Sequence, residues 1–223
     1  MSEESKPRDE GNWADPVDRL TTGGRNVAGR RVSGAMQGFG QMWQKTYRIA
    51  VPGDDPAHVI AVWKEEYGRF WPSTNRFSAP LAGIRPGEVG RIDATTGPAR
   101  MSTGVLVVYA DDTSFTYMTP EGHPFAGWIT FSSFGEDGQT YAQVQALVRA
   151  NDPLFEVGFM LFGNRQEDRM WQHTLRSLAE YLGGGGEVET KVFKVDRRRQ
   201  WKRIGNIRYN SLLRSMAPRR RGS

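Results

Sequence analysis

Five strand-like runs follow one another between Val89 and Arg149, and one long helix follows them. The runs are Val89–Asp93, Met101–Tyr109, Ser114–Met118, Phe125–Phe134 and Thr140–Arg149. β-Branched and aromatic residues dominate them, as a pleated, half-buried surface favours. Turn signals separate them: Thr96-Gly97-Pro98, Asp111-Asp112, Pro120-Glu121-Gly122 and Gly135-Glu136-Asp137-Gly138. Connections this short predict antiparallel neighbours, because a parallel return needs a crossover of about a dozen residues or more. Asn151-Asp152-Pro153 then marks a helix start, with Asp152 as N-cap and Pro153 at the first helical position. The helix is expected to run to Leu182 and to stop at the Gly183–Gly186 linker.

Upstream, Met42–Ala50 alternates as a strand, with Trp43, Lys45, Tyr47 and Ile49 on one face and Gln44, Thr46 and Arg48 on the other. A first helix opens at Asp54-Asp55-Pro56, presents Val59, Ile60, Val62, Trp63 and Tyr67, and closes at Gly68 and Trp71-Pro72. Residues 72–87 form a long connection anchored by Phe77, Leu81 and Ile84, of the kind that lids a cavity. In the last strand, Ala142, Val144, Ala146 and Val148 make a small apolar face for the helix or a cavity, opposite Tyr141, Gln143, Gln145, Leu147 and Arg149, which are expected to face solvent or a partner. The first half of the long helix, from Leu154 to Phe162, is apolar nearly all round and is expected to be buried on most sides. Its second half is amphipathic, with Trp171, Leu175, Leu178 and Leu182 inward and Arg165, Glu167, Asp168, Arg169, Arg176 and Glu180 wet. Gly158 and Gly163 disfavour a regular helix there by about 1 kcal/mol each, which suggests close packing or a kink.

The order strand, helix, antiparallel strands, long helix predicts an α+β helix-grip fold, a curved antiparallel sheet wrapped around the C-terminal helix with a cavity between them. Residues 42–183 resemble the START and polyketide-cyclase superfamily, which includes the birch-pollen-allergen-like proteins. The resemblance lies in the element order and in the closing helix after Asn151-Asp152-Pro153. The segment Phe115-Thr116-Tyr117-Met118-Thr119-Pro120-Glu121-Gly122-His123-Pro124-Phe125-Ala126-Gly127 is similar to a bacterial branch in which a strand ends in a Gly-His-Pro turn. The resemblance implies an apolar ligand between sheet and helix, and in some relatives cyclisation or similar chemistry there. It covers about two-thirds of the chain.

Charge divides the molecule again. The 223 residues carry 30 Lys and Arg against 25 Asp and Glu, a formal charge of +5. Twelve of the basic residues but only one acidic residue, Asp196, lie in 191–223, so that segment carries +11 and residues 1–190 carry −6. Three regions are therefore expected: a disordered, glycine-rich arm over 1–40, in which Trp13, Met36 and Phe39 are incidental or a short docking motif; a START-like domain over 42–183; and a glycine linker with a basic tail over 184–223. Within the last, Glu187–Val195 alternates and is either an added strand or a loop.

Composition excludes several chemistries. The chain has no cysteine, so no disulfide, thiol nucleophile or thiolate metal site, and its three histidines are too few for a multi-histidine centre. No cofactor and no metal are expected. No apolar run approaches the roughly 20 residues that span a bilayer. The opening Met-Ser-Glu-Glu-Ser-Lys lacks the features of a secretory signal. A cytoplasmic location is expected, with peripheral attachment at the inner membrane surface as an option of the tail.

Three sets of residues are candidates for function. Tyr67, Trp71, Phe77, Tyr117, Trp128, Val144 and Phe159 are expected to line the cavity and to hold a hydrophobic small molecule or lipid. His123, in its tight turn, is the one candidate general base for a cyclase- or hydrolase-like reaction, against the plainer role of bonding local backbone. Arg197, Arg198, Arg199, Trp201, Lys202 and Arg203 interleave charge with an aromatic ring. That pattern fits an anionic membrane surface, nucleic acid, or a solvated tail. The glycine run lacks the lysine and hydroxyl residue of a phosphate-binding loop.

Overall fold

The computed structural model describes residues 30–53, 55–80, 82–96 and 99–216. Residues 1–29 with Trp13, Asp54, Leu81, the Gly97-Pro98 turn and Arg219-Arg220-Arg221 lie outside the described residues. The described elements, in chain order, are β1 (Met42–Val51), α1 (Pro56–Glu65), a 3₁₀ turn (Tyr67–Phe70), β2 (Asn75–Ser78), β3 (Val89–Thr96), β4 (Ala99–Ala110), β5 (Ser114–Met118), β6 (Phe125–Glu136) and β7 (Gln139–Ala150). They are followed by α2 (Pro153–Gly158), a π-helical turn (Phe159–Gly163), α3 (Asn164–Tyr181), β8 (Glu189–Asp196), a 3₁₀ segment (Trp201–Tyr209) and α4 (Ser211–Met216).

The strands form one antiparallel sheet in the order β2-β3-β4-β5-β6-β7-β1-β8. The meander is continuous from β2 to β7, and β1 pairs with β7 over its whole length, from Met42 opposite Arg149 to Val51 opposite Thr140. Strand parity selects the inner face. Phe115, Phe131, Val144 and Tyr47 make one transverse row across β5, β6, β7 and β1, and Tyr117, Ile129, Ala146 and Lys45 make the next. All of these residues are buried. Trp63 of α1 and Trp171, Leu175 and Leu178 of α3 join the same core cluster as this face. This is the helix-grip arrangement.

Both expected helix starts are present. The Asp55 carboxylate accepts from the Ala57 amide at 2.9 Å, and the Asp152 carboxylate accepts from the Phe155 amide at 3.0 Å, with proline first in each helix. One connection differs from its expected form, and one open alternative is decided. The 72–87 segment contains β2, which adds Phe77 to the inner face opposite Ile92. Gly90 makes this possible, because a side chain there would collide with the Phe77 ring. The alternating Glu187–Val195 segment is a strand: β8 pairs along the outer edge of β1.

The chain on either side of the 42–183 core also packs on it. Residues 30–40 of the arm expected to be disordered are instead held across the sheet end. Val32 bridges Pro120, the Ser33 amide donates to the Thr119 carbonyl at 2.7 Å, and the Phe39 and Gly40 amides both donate to Ala150 at 2.9 Å. The glycines read as a mark of disorder provide close approach: a side chain on Gly38 would press against Ala126 and Arg149. The segment after β8 returns over the same end as a strap. The Gln200 amide donates to the Phe39 carbonyl at 2.7 Å and the Ser211 amide to the Gly122 carbonyl at 2.9 Å. Gly122, at φ +85°, admits the Tyr209 backbone against it, which a side chain would block.

Candidate functional site

Two groups of side chains meet on the inner face. The first is aromatic. The Tyr67 ring lies 4.6 Å from Phe77, 5.3 Å from Phe131, 5.5 Å from Tyr117 and 5.7 Å from Trp71 and Phe115, centroid to centroid, edge to face in each case. Trp171 of α3 closes over this group, 5.5 Å from Phe131 and 6.2 Å from Trp71. Such pairs add about 0.5–1.5 kcal/mol each beyond their area burial. Burial raises the pKa of both Tyr67 and Tyr117, which keeps their hydroxyls neutral. Among the described residues the Tyr117 hydroxyl has no hydrogen-bond partner, and neither do the buried hydroxyls of Thr103 and Thr174. Thr103 lies in the row of Ile92 and Phe77, at the edge of the aromatic group.

The second group is ionic. Lys45, whose side chain has 0% exposure, places Nζ 2.8 Å from Glu167 Oε2 and 2.8 Å from Asp168 Oδ1. The Tyr47 hydroxyl donates to Asp168 Oδ1 at 2.6 Å, and the Phe159 ring lies 5.2 Å from the ammonium. An ammonium withdrawn from water needs such partners, since an isolated buried charge is costly. Burial raises the Glu167 pKa, and Lys45 opposes that rise. Desolvation, reinforced by Glu167 and Asp168, also raises that of Tyr47. The result is a buried carboxyl group, held against desolvation by the Lys45 ammonium beside it. The small side chains of Val144 and Ala146 stand between this group and the aromatic one.

Lys45, Tyr47, Glu167 and Asp168 were not singled out from the sequence, and Glu167 and Asp168 were assigned to the wet face. Glu167 is 8% exposed. The signal was present: Glu167 lies four residues before Trp171, on the same inward stripe as Leu175 and Leu178, and Lys45 shares strand parity with Tyr47 and Ile49.

The expected cavity residues divide. Tyr67, Trp71, Phe77 and Tyr117 are brought together, and Val144 lies in the adjoining row. Phe159 is buried but packs with Phe125 and Trp43, close to Lys45. Trp128 is a correction. It is paired with Met118 and Leu147 on the outer face, 39% exposed, because Ile129 and Phe131 take the inward parity of β6.

His123 is 8% exposed in the β5–β6 turn. Its Nδ1 lies 3.0 Å from both the amide and the carbonyl of Phe125. Burial lowers its pKa to about 4, against the opposing effect of the Phe125 hydrogen bond, so the ring is neutral at neutral pH. Its described contacts tie it to the turn, away from the Lys45 group.

The basic residues of the strap also divide. Arg199 Nε donates to the buried Glu156 carboxylate at 3.1 Å. The Arg198 carbonyl accepts from the buried Arg149 at 3.0 Å, and its guanidinium pairs with Asp196. Trp201 meets Phe39 edge to face at 5.4 Å yet stays 67% exposed. Arg197, Lys202 and Arg203 point to solvent.

No protein-family model matches the chain, and no curated protein does. Among solved structures, the chain is similar to a putative uncharacterised protein from Rhizobium leguminosarum, at 15% identity and a TM-score of 0.50, over 64% of this chain and 95% of that one. It is also similar to the KanY protein, at 13% identity and a TM-score of 0.50, over 62% and 96% of the two chains. The structure of Ara h 8.0201 aligns over 63% of this chain and 97% of its own at 12% identity, with a TM-score of 0.46. At such identities the likeness concerns the fold alone: the two structures at a TM-score of 0.50, together with the sheet order and the covering helix, show that this chain has a helix-grip fold.

Proposed function

We propose that the protein binds an apolar or amphipathic small molecule between the inner sheet face and α3. The observation that carries this reading is the set of buried hydroxyls of Tyr117, Thr103 and Thr174, which have no hydrogen-bond partner among the described residues. Buried polar groups are paired in the great majority of cases, so buried orphans on the sheet and on the helix that covers it point to a guest that completes them. The aromatic group suits the apolar part of that guest. The rows carrying Val144 and Ala146 lead from it to Lys45 and Glu167, which suit a polar end. A His123-centred reaction has less support, because that ring is occupied by the backbone of its own turn. Native mass spectrometry of the protein purified from its own host is expected to show a co-purifying small molecule, retained by the wild type and lost from Tyr117→Phe with Thr103→Val. Protein that carries no small molecule in wild-type form, with no change in tryptophan fluorescence on titration with fatty acids or aromatic polyketides, would sink the reading.

A further inference from the structure

The start of the long helix was expected to be buried on most sides. Instead it carries four exposed large apolar side chains. Phe159 and Glu156 face inward, but Leu154, Val157, Met160 and Leu161 are 40%, 56%, 57% and 66% exposed. On the inward side Phe159 packs with Phe125 and Trp43, and Glu156 accepts from the Gln41 amide and from Arg199. The same contacts bring the strap alongside. Arg199 bridges Glu156 to Met160, with Nη2 3.0 Å from the Met160 sulfur, and the strap then exposes Trp201 and Ile204 at 67% and 53%. Six large apolar side chains from two distant stretches of sequence thus lie on neighbouring elements. Arg197, Lys202 and Arg203 flank Trp201 and Ile204 along the strap, and Arg165 follows Leu161 on the first turn of α3; all four are exposed and none makes an ion pair among the described residues.

We propose that this surface docks the protein on an anionic lipid bilayer, with α2 and the π-helical turn inserted shallowly and the arginine and lysine rim at the headgroups. Charge complementarity selects the occupant. A rim of unpaired cations attracts an anionic leaflet and would repel its own copy in a two-fold dimer. The chemistry of the centre separates lipid from nucleic acid. Leu154, Val157, Leu161 and Ile204 neither stack on bases nor bind phosphate, whereas exposed aliphatic side chains beside a tryptophan are what an interfacial helix buries in the acyl boundary. This surface is separate from the interior site, so either assignment can fail without the other.

The test is co-sedimentation of the full chain with phosphatidylcholine vesicles prepared with and without phosphatidylglycerol. Binding is expected only to the anionic vesicles and is expected to weaken with salt. Lys202→Glu with Arg203→Glu is expected to reduce the affinity roughly tenfold or more, given the attraction of each cation to an anionic surface. Val157→Asp with Leu161→Asp is expected to abolish binding with an unchanged circular dichroism spectrum, since both positions are exposed. A blue shift of tryptophan emission on vesicle addition should disappear in Trp201→Phe. No binding to anionic vesicles overturns the proposal. So does binding that the Val157/Leu161 variant retains, or binding to duplex DNA but not to vesicles. Self-association that the same variant abolishes, without vesicle binding, would assign the surface to a second copy instead.

Discussion

Lys45 and His123 show how much one residue's environment decides. Lys45 lies on a strand face that would suit any apolar side chain, yet it is an ammonium enclosed by Glu167, Asp168, the Tyr47 hydroxyl and the Phe159 ring. An enclosure of that kind contributes little net stability but fixes how β1 and α3 face each other, since removing one partner would strand the other charges. His123 carries a pH dependence whose sign follows from its burial. The unfolded chain takes up this proton near pH 6.5 and the folded chain only near 4. Stability is therefore complete above pH 6.5 and is lost as pH falls through the window down to about 4, by an amount near 3 kcal/mol in total. Urea denaturation at pH 7 and pH 4.5 should show this loss in the wild type and a much smaller one in His123→Gln. An equal loss in both would mean that other groups govern the acid limb.

At the scale of elements, the strap depends on the first turns of α2. Asn210 donates to the buried Asp152 carboxylate at 2.8 Å, and its own side-chain oxygen caps α4 by accepting from the Leu213 amide at 3.0 Å. Asn206 donates to the Asn151 and Gln37 carbonyls, each at 2.8 Å. One residue thus joins two helix N-termini, so Asn210→Ala removes a cap and a buried partner together. A loss of about 2–3 kcal/mol is expected, localised to residues 201–216. Hydrogen exchange resolves this directly: those amides should exchange faster while the β6 and β7 amides keep their protection. Unchanged protection in 201–216 would show that apolar packing alone holds the strap. The π-helical turn belongs to the same scale. It inserts one residue per turn where Gly158 and Gly163 weaken a regular helix, and it precedes the buried stripe that begins at Glu167.

For the molecule as a whole, the open question is whether the chain after Gly186 is an appendage. Arg149, with 0% side-chain exposure, donates to the Gly40 and Arg198 carbonyls and pairs with Asp196 at 2.5 Å, so one buried guanidinium joins the N-terminal segment, β7 and β8. Ending the chain at residue 186 removes two of these three partners and uncovers the edge of β1. Breaking a buried pair of this kind costs about 3–5 kcal/mol, and an exposed edge strand invites pairing between chains. The 1–186 protein is therefore expected to melt well below the full chain and to associate in sedimentation velocity. A shortened chain with the same Tm and a monomeric boundary would make 184–223 a separate tail.

The sequence by itself determined the strand succession, both helix starts, the small inner face of β7 and the aromatic group around Tyr67. These follow from local signals: turn residues, proline and aspartate at helix entries, and two-residue or helical periodicity. The location of polar function was only partly legible, because periodicity reports which face a residue shares and not what faces it. Lys45 and Glu167 each sit on an inward stripe, but their pairing depends on the distance between β1 and α3. Likewise, +11 over residues 191–223 was legible as charge. That β8 closes the sheet, that Arg199 and Asn210 grip α2, and that Leu154, Val157, Met160 and Leu161 remain exposed were decided by tertiary structure alone. Burial depends on which surfaces the rest of the chain covers, and here the chain covered the polar side of α2 and left its apolar side to solvent.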